Sequence, residues 1–178
     1  MRKVILYIAA SVDHYIAKTD GDTAWLHSPE LTLANEDYGY NQLMESIDTT
    51  LMGNSTYEQI MSFDIPFPYP DTQNYVFTRS KDRQDTKHVS FVSKDISSFV
   101  QDLKAKEGKD IWLIGGGQIN SLLINSGLVD ELILSIIPIV LGKGIPLFDH
   151  TINSCKLNLE STEAYTSGLV QLKYTVGN

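Results

Sequence analysis

The sequence predicts one α/β domain spanning residues 1–178, on a mixed sheet that is mostly parallel with antiparallel C-terminal strands. Two observations predict the architecture. Through residue 127 short apolar runs alternate with segments of helical period, the pattern of parallel strands joined by crossover helices. From residue 130 onward strand-like segments follow one another without a helix, which fits antiparallel pairing. A third observation sets the domain count: no internal repeat, low-complexity tract or linker interrupts the chain.

The elements follow in order. Residues 3–10, KVILYIAA, are an apolar run suited to a strand buried on both faces. A loop over 11–33 carries a turn signal at Asp20-Gly21-Asp22. Residues 35–47 read as a helix capped by Asn35, with acids in its first turn. A short strand at 49–53 leads into a helix at 55–63 opened by a Ser55 cap, and the proline-rich loop IPFPYP follows. A strand and its exit are predicted at 74–80 and another strand at 88–93. Between 94 and 108 Ile96, Phe99, Val100 and Leu103 form a helical stripe that Gly108 ends. Ile111-Trp112-Leu113-Ile114 is a strand, and GQINSLLINSG is the helix after it. A strand from residue 130 runs into a proline- and glycine-containing hairpin region, and 156–165 and 169–177 pair as antiparallel strands.

Composition narrows the function classes. A net charge of −8 without a basic stripe argues against a nucleic-acid partner. The cluster SKDRQDTKH is laced with acids and reads as a solvated turn. No apolar run reaches the length of a membrane span, and VILYIAA is too short for a signal peptide before Asp13-His14 interrupts it. The single cysteine, Cys155, excludes an intramolecular disulfide and a multi-cysteine zinc site, so a reducing, cytoplasmic setting is expected. His14, His27, His88 and His150 show no metal-binding spacing, and no metal site is expected.

The chemistry gathers where strands end. Gly115, Gly116 and Gly117 stand between a strand and a helix, where they lower stability unless something requires bare backbone. They do not make a dinucleotide fingerprint, because Asn120 stands at the third glycine position and the strand comes late in the chain. The N–H groups of Gly116, Gly117 and Gln118 can still face an anion such as a diphosphate; the alternative is a tight turn with no ligand. A second exit, LMGNSTYEQI, ends at Gly53 and opens a helix with Asn54, Ser55 and Thr56. A third offers Thr78, Arg79 and Ser80, with the Arg79 guanidinium fit to clamp a phosphate or simply to be solvated. Parallel strands share one carboxyl edge, so the three exits can surround one ligand.

Taken with the first strand, these stretches resemble the dihydrofolate reductase superfamily, in the branch holding the C-terminal reductase domain of bacterial riboflavin biosynthesis and its stand-alone relatives. YIAASVDHYIA, TAWL, TLMGNSTYEQI, YVFTRS, IWLIGGGQINSLLI and VDELILSIIPIVLGKGIPLF carry the likeness and cover most of the chain. The resemblance implies a mixed sheet of about eight strands flanked by helices. It also implies NADPH bound across the strand exits. The activity would resemble 5-amino-6-(5-phosphoribosylamino)uracil reductase, with hydride passing to a small heterocyclic or carbonyl substrate. Alternatives are a dihydrofolate reductase or a nucleotide-binding module without catalysis.

By the same resemblance Gly115, Gly116 and Gly117 hold the diphosphate, often through a cis Gly–Gly peptide, with Ile114, Gln118 and Ile119 beside them. Gly53, Asn54, Ser55 and Thr56 form a second cofactor wall, and Thr78, Arg79 and Ser80 face the adenosine ribose and its 2′-phosphate. Ala9, Ala10 and Ile16 lie near the nicotinamide, while Ser11, Trp25 and Tyr38 belong to the substrate pocket, with Trp25 equally readable as a core aromatic. Asp13 and Asp37 are the candidate catalytic carboxylates, Asp13 either orienting substrate or ribose hydroxyls or capping the loop by bonding its own backbone. Asp37 is reached by counting sixteen residues back from Gly53, whereas counting forward from Trp25 reaches Glu30 instead; Asp37 also sits where acids simply complement a helix dipole. A homodimer is expected from the family and from the apolar C-terminal strands. Three departures stand out. Asn54 replaces an arginine common after the MG glycine, and His14 replaces a glycine after the S-x-D aspartate. The zinc deaminase motifs of bifunctional relatives are missing, so that second activity is not expected.

Overall fold

In the computed structural model, which describes residues 1–149 and 151–177, β1 (Val4–Ser11) runs near the middle of an eight-stranded sheet. Val4 and Leu6 are fully buried and pack in the main core cluster, as a strand covered on both faces requires. β6 (Asp110–Gly115) lies on one side of β1 and β7 (Glu131–Ile137) on the other, both parallel to it. Beyond β6 come β3 (Ile47–Gly53), β4 (Gln73–Phe77) and β5 (Val89–Val92), also parallel. Beyond β7, β10 (Val170–Val176) and β9 (Leu157–Ala164) pair antiparallel. The mixed, mostly parallel sheet with antiparallel C-terminal strands is therefore the one expected.

Four helices pack on the sheet: α1 (Tyr40–Ser46), α2 (Asn54–Ser62), α3 (Ile96–Ala105) and α4 (Gly117–Asn125). α3 buries Val100 and Leu103, two positions of its predicted stripe. At the amino edge of the sheet ion pairs close the fold. Buried Arg2 bonds Asp48 and Thr49, and buried Lys104 reaches Asp130 and the Leu128 carbonyl. That edge is stitched by charge.

Several boundaries differ from expectation for local reasons. α1 begins at Tyr40 rather than Asn35, because Tyr38 (φ 54) and Gly39 (φ 84) both take left-handed conformations that a helix cannot contain. The predicted loop holds a short strand, β2 (Tyr15–Ala17), and a 3-10 helix at Ala24–His27. β2 pairs with β8 (Ile145–Pro146), so the expected C-terminal hairpin region instead folds back on the first loop. α2 is capped by Gly53 without a side-chain bond, not by Ser55, while α3 is capped by the Asp95 carboxylate and stops before Gly108. β7 is an interior strand, flanked by β1 and β10, so its apolar run is not surplus edge surface. His150 lies outside the described residues.

Candidate active site

The parallel register brings the strand exits to one edge: Gly53 stands opposite Phe77, and Met52 opposite Gly115. Gly115 has φ 121, which strongly favours glycine, and the Gly115–Gly116 peptide is cis. A Cβ on Gly53 would lie 3.3 Å from Ile119 Cγ1. A Cβ on Gly116 would lie 3.5 Å from Thr56 Oγ1 and 3.7 Å from Ile16 Cδ1, ordinary contact distances. The protein would thus accept a methyl on Gly116, and that methyl would fill the gap between the first loop and α2. From the β4 exit the Arg79 guanidinium donates to Gln118 Oε1 at 3.3 Å. Ile16, Gly53, Thr56, Arg79, Gly116, Gln118 and Ile119 therefore border one crevice. Thr78 and Ser80 follow β4, where Thr78 Oγ1 accepts from the Ser80 N–H at 3.1 Å.

The helix ends around the crevice differ from those elsewhere. The Asp37 carboxylate accepts from the Gly39 and Asn41 N–H groups at the start of α1, and Asp95 accepts from Ser98 in α3. α2 and α4, which open from Gly53 and Gly116, carry no side-chain cap at all. Their first N–H groups and positive dipole ends are left to something other than the protein. Among the described residues the buried side-chain atoms without a partner are Asn54 Oδ1 in the first turn of α2, Asn120 Oδ1 inside α4 and Trp25 Nε1. Uncapped helix starts beside a glycine gap fit an anionic ligand such as a diphosphate, and the Asn54 amide oxygen fits a hydroxyl or N–H of the same ligand.

Gly117 has a separate cause. A Cβ there would stand 2.3 Å from the Pro146 carbonyl oxygen, so this glycine is needed for β8 to pack against α4.

Other expected residues do structural work. Ser11 is fully buried; its hydroxyl donates to Asp13 Oδ1 at 2.6 Å and accepts from the Tyr15 N–H at 2.9 Å. It is engaged at the base of the loop and does not face the cavity. Asp13 accepts in addition from the Leu141 N–H (3.0 Å) and the Gly142 N–H (2.7 Å), clamping the 138–144 segment to the end of β1. The Ser11 hydroxyl first, and then these backbone donors, hold the Asp13 carboxyl down to about 2. The two N–H groups at α1 lower Asp37 likewise, the opposite of what a proton donor needs. Ala10 is fully buried in the core, Ile114 packs among Met52, Ile47 and Trp112, and Trp25 packs with Ile137 and Leu169 as a core aromatic.

Next to the crevice, a cavity of about 470 Å³ lies between the sheet and the 26–38 segment. Its floor is Tyr7 and Ala9 of β1 with Ser135 and Ile137 of β7; Ala9 and Ser135 are register partners, so the four share one face. Leu26, Thr32, Leu33 and Tyr38 close it from above and Leu169 from the side. The Tyr38 carbonyl accepts from the Tyr7 hydroxyl (3.2 Å) and from Gln171 Nε2 (2.8 Å), and Gln171 Nε2 also reaches Ser135 Oγ at 3.1 Å. Burial, and then the nearby Asp37 charge, raises the Tyr7 phenol. Of the expected substrate residues only Tyr38 lines this cavity. Tyr7, Ser135 and Gln171 were missed; the one hint was a serine within the apolar run ELILSII.

Comparison with known proteins places this geometry. Residues 2–171 match the family model of the RibD C-terminal domain. The Bacillus subtilis "uncharacterized protein YwjB" is 40% identical over 173 residues, 97% of each chain. A Shewanella sp. PV-4 protein named for riboflavin biosynthesis superposes with a TM-score of 0.87 at 30% identity, covering 99% of both chains. Dihydrofolate reductase from Enterococcus faecalis, solved with NADP(H), gives a TM-score of 0.67 at 15% identity over 99% of this chain and 97% of that one. The fold is dihydrofolate-reductase-like.

Proposed function

The chain belongs to the RibD C-terminal domain family, and we propose that it is an NADPH-dependent reductase of a small heterocyclic or carbonyl substrate. One observation carries the reading: α2 and α4 open onto the crevice without side-chain caps, while α1 and α3 have carboxylates on theirs. A carboxylate at those two ends would repel a phosphate, and none stands there. NADPH, when bound, supplies the hydride. Around it the α4 N-terminus and Gly116 hold the diphosphate, Gly53, Asn54, Ser55 and Thr56 form the second wall, and Arg79 with Thr78 and Ser80 meets the 2′-phosphate. Ile16 gives the crevice an apolar boundary and Ala9 gives the cavity floor one, keeping water from the reacting carbon. Asp13 fixes the loop behind them.

Titrating the protein into NADPH and following nicotinamide fluorescence tests the reading. Saturable enhancement is expected, and its absence at high micromolar protein would remove the cofactor. Loss of nicotinamide absorbance on adding aminouracil ribityl compounds, compared with dihydrofolate, separates a riboflavin-type reductase from a dihydrofolate reductase. Binding without turnover of either would favour a nucleotide-binding module. No helix of the described residues is long and apolar enough to cross a membrane, and the reading includes a cytoplasmic setting in which exposed Cys155 stays reduced. It also includes a homodimer, by family likeness. Light scattering at micromolar concentration should give twice the chain mass; a monomer mass would reject it.

A further inference from the structure

We propose that residues 28–38 form a strap that swings over the cavity as one body, latched to the sheet by the Tyr38 carbonyl. The strap governs access to the cavity floor whatever compound the cavity accepts, so the proposal stands apart from the reductase reading.

The two stretches between β1 and α1 are anchored differently. The first is tied at several points to the 138–147 region. The Val12 N–H donates to the Ile139 carbonyl at 2.9 Å, and the Leu147 N–H donates to the His14 carbonyl at 2.8 Å. Asp13 accepts from Leu141 and Gly142, and β2 pairs with β8. The strap has no such ties. Among the described residues, every hydrogen bond from Ser28 to Asp37 stays within the strap or reaches the helix at one of its ends. The Leu31 and Thr32 N–H groups donate to the Ser28 carbonyl, and the Glu36 N–H donates to the Leu33 carbonyl. The Leu33 N–H donates to the strap's own Tyr38 hydroxyl at 2.7 Å. Its carboxylates, Glu30, Glu36 and Asp37, join none of the ion pairs among the described residues. A loop that bonds mainly to itself is a compact unit, free to move with its internal bonds intact.

One residue makes the polar connection to the sheet. The Tyr38 carbonyl accepts from the Tyr7 hydroxyl on β1 at 3.2 Å and from Gln171 Nε2 on β10 at 2.8 Å. Tyr38 also stands at φ 54, a left-handed conformation that a side-chain-bearing residue keeps only where its surroundings hold it. The two donors supply that hold, helped by the Tyr38 ring packed edge-on to Tyr165 at 4.8 Å. Apolar support comes from Leu31 and Tyr38, which rest on the Trp25, Ile137 and Leu169 cluster. Releasing the carbonyl removes the polar tie and the constraint on φ together, so the latch is either made or broken. Gly39, at φ 84, supplies a hinge at this end, and the 3-10 helix held by buried Trp25 marks the other. Thr32 and Leu33 line the cavity from the strap, so its displacement uncovers the floor at Ala9 and Ser135.

Thiol labelling of the full chain tests the latch without any ligand. Cys155→Ser removes the exposed native thiol, and Ala9→Cys places one on the cavity floor. Its rate of reaction with dithiobisnitrobenzoate, a bulky aromatic disulfide, follows the population of open strap. Tyr7→Phe keeps the ring against Trp112 and removes only the hydroxyl, while Gln171→Leu removes the second donor. Each should speed labelling about three- to tenfold, and the double variant should multiply the two effects. Hydrogen exchange at the Thr32 and Leu33 amides should stay nearly unchanged in these variants, because their bonds travel with the strap. An unchanged labelling rate in the double variant would overturn the latch. Exchange at Thr32 and Leu33 accelerated as much as the labelling would overturn the swing, since the strap would then be unravelling. Ser135→Cys gives a second floor position should Ala9→Cys fail to fold. Nicotinamide fluorescence in the same samples scores the reductase reading separately, so either can fail alone.

Discussion

The crevice at the strand exits and the cavity beside it are neighbours on one sheet, yet they are built from different materials. The crevice is backbone: glycines at Gly53, Gly115 and Gly116, and two helix ends without caps. The cavity is side chain: Tyr7, Ser135 and a loop residue, Tyr38, held in place by Gln171. Backbone chemistry restricts residue choice, because only a few residue types allow a main-chain group to approach a ligand. A side-chain cavity restricts shape and polarity, which many sequences can supply. On the proposed reading, cofactor binding falls to the first region and substrate selection to the second.

Gly116→Ala presses hardest on that contrast. Its Cβ would meet the protein only at ordinary contact distances, so the fold should survive. If the gap is a phosphate seat, the methyl occupies it, and NADPH fluorescence enhancement should be lost while the melting temperature stays nearly unchanged. Unchanged NADPH affinity would make the crevice only a turn.

Arg79→Ala comes next. Its guanidinium is the cation among the crevice residues, and Asn54 stands where, by the family resemblance, an arginine is common. Removing a charge-assisted bond should weaken NADPH by roughly 1.5–3 kcal/mol, about tenfold to a hundredfold. NADH lacks that phosphate and should barely respond. Equal losses for both cofactors would take Arg79 out of the site.

Gly117→Ala separates packing from ligand binding within one glycine run. Here the obstacle is the Pro146 carbonyl at 2.3 Å, part of the β2–β8 pairing. Overpacking of this kind costs about 1–3 kcal/mol. For a chain of this size that lowers the melting temperature by about 2–12 °C. A stable Gly117→Ala protein would mean that β8 shifts without resistance.

The same division explains what could be read in the sequence. Strand–helix alternation, the IGGG run and the hydrophobic stripe of α3 announce themselves through period and residue type, and the mostly parallel sheet with antiparallel C-terminal strands followed from them, though its strand order did not. The cavity did not. Its lid begins in a stretch whose acids, Glu36 and Asp37, imitate a helix start, whereas Tyr38 and Gly39 turn left-handed and delay α1 to Tyr40. Tyr7 and Ser135 meet only through the β1–β7 register, a long-range fact that no local pattern encodes. Ser11 is held by the Asp13 carboxylate, and Trp25 packs on Ile137 and Leu169, which line the cavity that Trp25 itself does not line.

The smallest expected effect belongs to Asp13, which joins the two regions by tying the 138–144 segment to the end of β1. Its carboxylate accepts three hydrogen bonds, from Ser11, Leu141 and Gly142. Those donors favour the charged form, so the folded-state pKa, about 2, lies below the usual value of 3.8. The sign follows. A group depressed on folding stabilises the protein at pH values above its unfolded pKa, and that contribution fades as pH falls from about 4 toward 2. Asn in place of Asp keeps one acceptor oxygen and turns the other into a donor, so one backbone N–H must be released. Asp13→Asn should therefore speed hydrogen exchange at Leu141 and Gly142 at neutral pH while leaving the central strands protected. It should also lose less stability than the wild type between pH 5 and pH 2, because the titrating group is gone. Asp37 is lowered in both proteins, so the difference between them isolates Asp13. Unaltered exchange at both amides would show that the segment is held by the β2–β8 pairing alone, and that cavity and crevice keep their alignment without the carboxylate.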